Sequence, residues 1–399
     1  LIYRQMPKVL RIINRFNIGG PTFNAAYLSK YLPSNYETLL IGGEKEDHEE
    51  SSLHVLHELG LKPLIIPEMR RSINPLNDYF VYRKLKNIIE EFKPDIVHTH
   101  AAKAGTIGRL AAYNAKVPVI LHTFHGHVFH SYFNKTKTAV FKNVERNLAA
   151  KSTKIIAISE RQKYELGTIH RICAPEKIEV VPLGFDLTRF QENYETKRKS
   201  FRTQYNIADD EIAVGIIGRI VPIKNHEMFI RAWKAASDKT SKKIRAFIVG
   251  DGENRTKVEN LAKELGISVC TQNFEKSKCS LTFTSWIKEI DFVNAGLDIV
   301  ALCSLNEGTP VSLIEAQAAN NPVLSTKVGG VENIVMEGKT GLLCEVGDID
   351  KYSAQLLKLL ENDELRTKMQ QAGWESVKEK FHYTRLVKDI DKLYSSLLK

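Results

Sequence analysis

The chain is poor in the residues that would point to metal or disulfide chemistry. It has five cysteines, Cys173, Cys270, Cys279, Cys303 and Cys344, and no two form a C-x2-C pair. An odd number without that spacing argues against a structural zinc site and a disulfide framework, and favours a reducing cytosol. No run of 18 uncharged apolar residues occurs, so no transmembrane span is expected. No secretory leader is read in Leu1-Ile2-Tyr3-Arg4-Gln5, and a start at Leu rather than Met suggests truncation or processing.

What is present is an ordinary globular composition, 43% apolar and 26% charged, over 399 residues. That length is too great for one core and fits two domains. The charge is uneven: residues 1–185 carry 26 Lys+Arg against 17 Asp+Glu, a net +9 of the chain's +10. The first half therefore suits an anionic partner, whether nucleic acid, a membrane surface or a phosphorylated acceptor; a merely soluble basic surface is the alternative.

The sharpest pattern is Glu307-Gly308-Thr309-Pro310-Val311-Ser312-Leu313-Ile314-Glu315. It follows an apolar strand, Ile299 to Leu302, and Thr309 and Pro310 open an alanine-rich helix. Such a helix start offers free N–H groups to a phosphate or pyrophosphate at the C-terminal edge of a parallel sheet. Glu307 before the helix and Glu315 in its second turn could hold hydroxyls on either side of a diphosphate. The plainer reading makes Glu307 a helix cap and Glu315 a solvated side chain. A second strand, turn and helix follows, Pro322 to Thr326 and then Val328-Gly329-Gly330-Val331-Glu332-Asn333-Ile334. Two such units in succession favour a nucleotide domain.

Strand and helix patterns alternate throughout. Strands are expected at Val9 to Ile13, Thr38 to Ile41, Leu64 to Ile66, Ile96 to His98, Val119 to Thr123 and Ile155 to Ser159. Helices are expected at Pro21 to Leu32, Leu76 to Phe92 and Ala104 to Tyr113. The order restarts with a strand at Ala213 to Ile217, a helix at His226 to Ser237, a strand at Arg245 to Val249 and a helix at Arg255 to Leu265. Repeated βα order means doubly wound parallel sheets. The fold expected is α/β: two Rossmann-like domains, 1–185 and 186–383, facing across a cleft, with the C-terminal helix (384–399) crossing back to the first.

Other candidates each carry two readings. Gly19-Gly20 ends the first strand and lets backbone approach a ligand, or is an ordinary turn, since it is not a G-x-G-x-x-G. Arg219 and Lys224 lie on the loop after a glycine-ended strand, where they suit a diphosphate, or are two ordinary basic loop residues without a role. His122, His125, His127 and His130 crowd one segment after His98 and His100; with no carboxylate or thiol at ligand spacing, a cleft loop with one histidine on substrate is preferred to a metal site. Asp348-Ile349-Asp350 reads better as a helix cap than as a cation site. Val140, Val144 and Leu148 fall on one helical face expected to pack on the sheet, with the aromatic loop before them a possible membrane or lipid-carrier contact.

Taken together, these segments resemble the GT4-type retaining glycosyltransferases of GT-B fold. The resemblance is carried by Ile18-Gly19-Gly20, Asp95 to His100, Phe124-His125-Gly126, Val181 to Asp186, Gly218-Arg219 with Lys224, Val249-Gly250-Asp251-Gly252, Glu307 to Glu315 and Gly329 to Glu332. The resemblance implies that Arg219 and Lys224 bind the donor diphosphate, Glu307 touches the transferred sugar, and Glu315 holds the ribose. Gly308, Thr309, Pro310 and Val311 would face the donor phosphate or sugar, Thr284 would lie in the base-contacting turn, Gly19 and Gly20 would approach the donor, and His125 would stand by the reacting centre. Asn320-Asn321 and Asn225 replace usual glycines; Asn tolerates left-handed backbone. The charged positions are intact, which argues against an inactive relative.

The implied chemistry needs no metal, because the two cations stabilise charge growing on the leaving diphosphate. No carboxylate pair suits a double displacement, so retention fits a same-face displacement in which the leaving phosphate takes the acceptor proton. Expected partners are a nucleotide sugar, with a UDP-sugar preferred, a sugar or polyprenyl-linked acceptor, and an anionic membrane touched by the basic first domain, with no nucleic acid. The expected setting is bacterial surface polysaccharide assembly, in the cytoplasm or at the inner face of the cell membrane. The alternatives are a sugar-nucleotide epimerase on the same fold, or a basic nucleic-acid-binding protein.

Overall fold

The computed structural model describes residues 6–17, 19–46, 51–70, 72–126, 135–272, 274 and 278–398. His127 and His130, and the aromatic loop before the helix Lys135–Ala150, lie outside them. Two compact units divide the chain, Leu1–Phe185 with Phe381–Lys399, and Asp186–Lys380. The return to the first unit thus begins at Phe381 rather than at 384.

Among the described residues, the first unit holds one parallel sheet. Its strands are β1 (Lys8–Arg15), β2 (Glu37–Gly43), β3 (Leu64–Ile65), β4 (Ile96–His100), β5 (Val119–Phe124), β6 (Lys154–Ala157) and β7 (Ile178–Val180). They lie in the order β3-β2-β1-β4-β5-β6-β7. The second unit's strands are β8 (Ile212–Ile217), β9 (Ile244–Val249), β10 (Val269–Cys270), β11 (Leu281–Ser285), β12 (Ile299–Leu302), β13 (Val323–Thr326) and β14 (Gly341–Cys344). Their order is β10-β11-β9-β8-β12-β13-β14, again parallel. Helices cover both faces, so central strands such as β8 and β12 are buried along their whole length. Strand order reverses between β1 and β4 in one unit and between β8 and β12 in the other. Ligands of open α/β sheets bind at the carboxyl ends of such strands.

The C-terminal helix Tyr383–Leu397 belongs to the first unit, as expected. Leu386, Ile390, Leu393 and Tyr394 pack on Val9, Leu28, Ile96 and Val119. The chain re-enters through a bridge in which Phe185 N–H donates to the Phe381 carbonyl (2.8 Å) and Tyr383 N–H to the Phe185 carbonyl (3.0 Å). Gly184 is required there, because a Cβ would stand 2.6 Å from Leu386 Cβ and 2.9 Å from Tyr383 Cα.

Two expectations are corrected. Cys270 and Cys279 form a disulfide, their Cα atoms 5.7 Å apart. The short connection between neighbouring strands β10 and β11 brings them together, a proximity that C-x2-C spacing does not test. The cysteine argument for a reducing compartment falls with it. Secondly, Val140 and Val144 are exposed (57% and 39%), and only Leu148 of that face is buried. The helix instead turns Leu148, Ala149 and Glu145 inward, and Glu145 accepts from the buried Arg109. The helices Leu53–Glu58 and Tyr194–Gln204 add to the helices expected from the sequence. No helix among the described residues is long and apolar enough to cross a membrane.

Candidate active site

The loops that follow β8 and β12 meet at the switch point of the second sheet. Leu305 N–H donates to the Ile223 carbonyl (2.8 Å), tying one loop to the other. This brings Lys224 and Glu307 together: Nζ lies 2.6 Å from Oε1, and both side chains are mostly buried. Ser304 Oγ donates to the same Glu307 oxygen (2.5 Å), and Thr326 Oγ1 donates to the Ser304 carbonyl (2.7 Å). Glu307 is therefore no helix cap. The helix Val311–Ala318 starts at Pro310 with no side chain capping it, so its first N–H groups receive no side-chain acceptor.

Glycines let this loop sit where it does. A Cβ on Gly329 would stand 1.6 Å from the Glu307 carbonyl oxygen, and one on Gly330 1.9 Å from that of Gly308. Gly330 N–H in turn donates to the Glu307 carbonyl (3.2 Å). The Gly329-Gly330 turn after β13 is thus the floor on which Glu307 and Gly308 rest. On the other side, a Cβ on Gly250 would stand 2.1 Å from the Gly218 carbonyl oxygen, which explains the glycine after β9.

Glu315 is half-buried rather than solvated. Burial pushes its carboxyl up to about 7, with Arg189 lowering it and Asp291 raising it further. Asp291 itself pairs with Arg189 and Lys197, each at 2.8 Å. Arg219 is exposed on its loop, Gly308 is exposed, and Thr309 and Val311 are half-buried. Thr284 donates its hydroxyl to the Ser285 carbonyl (3.0 Å), next to the exposed Trp286. Ser285 has left-handed backbone (φ 61°) and donates to Asp251 (2.8 Å), which also accepts from Arg255 (2.8 Å). Asn225 (φ 50°) and Asn320 (φ 62°) adopt the left-handed geometry expected of glycine substitutes.

In the first unit, Gly19 and Gly20 open the helix Gly20–Tyr31 at the end of β1. His125 directly follows β5, and its Nε2 lies 2.9 Å from His100 Nδ1. His100 stacks on His98, with ring centroids 4.3 Å apart. Tyr394 of the C-terminal helix closes the row: its Oη is 2.6 Å from His98 Nδ1 and accepts from Arg11 (3.1 Å). Arg11 can only donate, so a tyrosine O–H donating to Nδ1 leaves His98 donating from Nε2 to Thr123 (2.7 Å). Desolvation drives His98, His100 and His122 well below the usual histidine range and His125 down to about 3. Neutral imidazoles, not imidazoliums, line this edge. Among the described residues no group of metal-ligating side chains gathers. Asp348 caps the helix Ile349–Glu361 by accepting from Lys351 N–H (2.9 Å).

Sequence reasoning missed Ser304, Arg189, Asp291 and Tyr394. Ser304 lies close enough to Glu307 in sequence to have been suspected; the others reach their partners only through tertiary folding.

Two family models match in succession. Residues 18–189 match Glycosyltransferase Family 4, and residues 197–375 match Glycosyl transferases group 1. The chain belongs to the family 4 glycosyltransferases. It is an enzyme of sugar transfer, and this speaks against the epimerase and nucleic-acid-binding alternatives. Among its relatives is the UDP-Gal:alpha-D-GlcNAc-diphosphoundecaprenol alpha-1,3-galactosyltransferase of Escherichia coli. The two are 28% identical over 342 residues, covering 85% of this chain and 84% of that protein. The capsular polysaccharide biosynthesis glycosyltransferase CapM of Staphylococcus aureus is 27% identical, covering 84% and 85%. The fold matches that of Anabaena Alr3699/HepE, solved in complex with UDP, with a TM-score of 0.79 at 19% identity over 98% of this chain and 100% of that one. As a glycosyltransferase the chain thus carries the GT-B pair of parallel-sheet domains.

Proposed function

We propose that this glycosyltransferase moves a hexose from a UDP-sugar to a lipid-linked or sugar acceptor, with retention at the anomeric carbon, in bacterial surface polysaccharide assembly. The observation that carries the reading is the Lys224–Glu307 pair at the switch point, beside an uncapped helix start and the half-buried Glu315. The galactosyltransferase relative is named for a UDP-galactose donor and a diphosphoundecaprenol acceptor, which supports both halves of the proposal.

In this reading Lys224 and Arg219 bind the diphosphate and stabilise the charge that grows on it as the anomeric bond breaks. Those cations do the work a divalent ion would otherwise do, so the reaction requires no metal. The helix start at Gly308 to Val311 presents N–H groups to the phosphate or sugar. Glu307, oriented by Lys224 and Ser304, accepts from hydroxyls of the transferred sugar, and Glu315 accepts from the ribose. Thr284 borders the base. Gly19, Gly20 and His125 serve from the first unit, where the neutral imidazole contacts substrate. The acceptor hydroxyl attacks from the face the diphosphate leaves, and its proton passes to the leaving phosphate. The reading sets the enzyme in the cytoplasm at the inner face of the membrane, with the basic first domain toward anionic lipid.

The test is transfer from radiolabelled UDP-sugars to a polyprenyl-diphosphate sugar in EDTA. Product of retained configuration, lost in Glu307→Gln, supports the proposal; transfer that requires added Mg2+ or Mn2+, or that survives in Glu307→Gln, counts against it.

A further inference from the structure

His100 ends β4 at the carboxyl edge of the first sheet and is completely buried. Stacking on His98 holds the plane of its ring, and His98 is itself tied at both nitrogens, to Tyr394 and to Thr123. The next residue, Ala101, has φ 68° and ψ 156°, a backbone region nearly confined to glycine. Backbone of that kind persists only where the surrounding structure holds it, and here it sets the exit from β4 at His100.

The polar neighbour of His100 is His125, with Nδ1 2.9 Å from Nε2 and ring centroids 5.2 Å apart. The remaining nitrogens, His100 Nε2 and His125 Nδ1, are buried and have no hydrogen-bond partner among the described residues. Desolvation keeps the His100 ring neutral, helped by His98, His125, Arg11 and His122 around it. A neutral imidazole carries one N–H and one lone pair. A bond between two neutral rings therefore leaves the hydrogen on one outer nitrogen and a lone pair on the other. As with main-chain groups, a buried N–H lacking an acceptor is rarer than an acceptor lacking a donor. His100 is fully enclosed, whereas His125 is half-buried. The unpaired N–H thus belongs on His125, and His100 Nδ1 donates to His125 Nε2.

We propose that His100 is a positioning residue that fixes the tautomer of His125, so that His125 presents an Nδ1–H to a substrate oxygen and cannot act as a base. The inference rests on the proposed contact of His125 with substrate. With its Nε2 lone pair engaged by His100, His125 offers nothing to the proton of an attacking hydroxyl. That proton is left to the departing phosphate.

The test is NMR of the ring nitrogens in the full chain labelled with heavy nitrogen at histidine, His125 being identified by the signals lost in His125→Asn. Transfer rates, UDP affinity and melting temperature are measured beside it. The wild type should show a neutral His125 with its hydrogen on Nδ1. In His100→Asp the new side chain only accepts, so the hydrogen should move to Nε2. The same variant should raise His125 and bring an acid limb into the rate profile between about pH 5 and 8. His100→Phe should lower kcat about 10–100-fold, the usual cost of losing the group that orients a functional imidazole, with UDP affinity unchanged. His100→Asn, whose amide places a donor near the position of Nδ1, should recover most of that loss. Hydrogen on His125 Nε2 in the wild type, or equal kcat in the Phe and Asn variants, overturns the proposal. Should His100→Phe melt early, the wild-type tautomer decides alone. A wild-type transfer rate in His125→Asn removes the substrate contact, and the proposal with it, while leaving a UDP-binding transferase intact.

Discussion

Lys224 Nζ lies 2.6 Å from Glu307 Oε1 although 83 positions separate them in sequence. The pair joins a cation suited to a leaving diphosphate to a carboxylate suited to a sugar. Lys224→Met should lower kcat by about 10²–10³-fold, the usual cost of removing one group aimed at developing charge. Glu307 would lose its cation but keep Ser304, so the protein should still fold. Circular dichroism beside steady-state rates separates the two effects.

Burial pushes the Glu315 carboxyl up to about 7, so if Glu315 holds the ribose as proposed, nucleotide binding should depend on pH. The carboxyl's folded value lies above its unfolded one, so the native state binds the extra proton between about pH 4.5 and 7. This contribution to stability is full below the unfolded value and is lost as pH rises through the folded one. Glu315→Gln should therefore gain in melting temperature relative to wild type as pH rises from 5 to 8. If the ionised form holds the ribose, UDP binding releases a proton below pH 7, which calorimetry in buffers of different ionisation enthalpy will detect. The glutamine variant should release none.

The histidine row has the opposite sign. His98, His100, His122 and His125 all fall below their ordinary value, so stability is present above about pH 6.5 and is lost as pH falls. Acid titration followed by thermal melting should show a fall steeper than one proton's worth. Replacing His122 by Asn should flatten it. Over pH 6–8 the rate profile should carry no limb from His125.

Tyr394→Phe removes a hydroxyl that serves Arg11 and His98 at once. A buried guanidinium N–H then loses its acceptor, which costs about 1–3 kcal/mol in urea unfolding. The Arg11→Met/Tyr394→Phe double variant should recover part of that, because the orphaned charge is gone.

Much of this was legible in the sequence, for physical reasons that differ by residue. Strands such as Ile212–Ile217 and Ile299–Leu302 are buried on both faces and stand out as apolar runs. Asn225 and Asn320 were readable as glycine substitutes because so few side chains tolerate left-handed backbone. The contact of Tyr394 with His98 spans 296 positions and has no local signature. Glu145 misled the periodicity: its pairing with Arg109 turns a charged residue inward and leaves Val140 and Val144 outside. The Cys270–Cys279 disulfide depends on two strands becoming neighbours, which spacing alone does not reveal.

Gly330→Ala tests the floor beneath the donor loop. Its Cβ would meet the Gly308 carbonyl at 1.9 Å, so the loop must move, at a cost of about 1–3 kcal/mol. Gly266→Ala is the control: unlike Gly330 (φ −85°) it is left-handed (φ 72°), so it carries backbone strain, but it has nothing within 4 Å of its Cβ. Transfer should fall much further in the first variant than in the second, at matched melting temperature.

The most direct measurement is isothermal titration of UDP in EDTA into the wild type, Lys224→Met and Glu315→Ala. Saturable one-to-one binding by the wild type that survives EDTA and is lost or strongly weakened in both variants is the predicted result. Absence of UDP binding, or equal affinity in all three proteins, would contradict a donor site built on Lys224, Glu307 and Glu315.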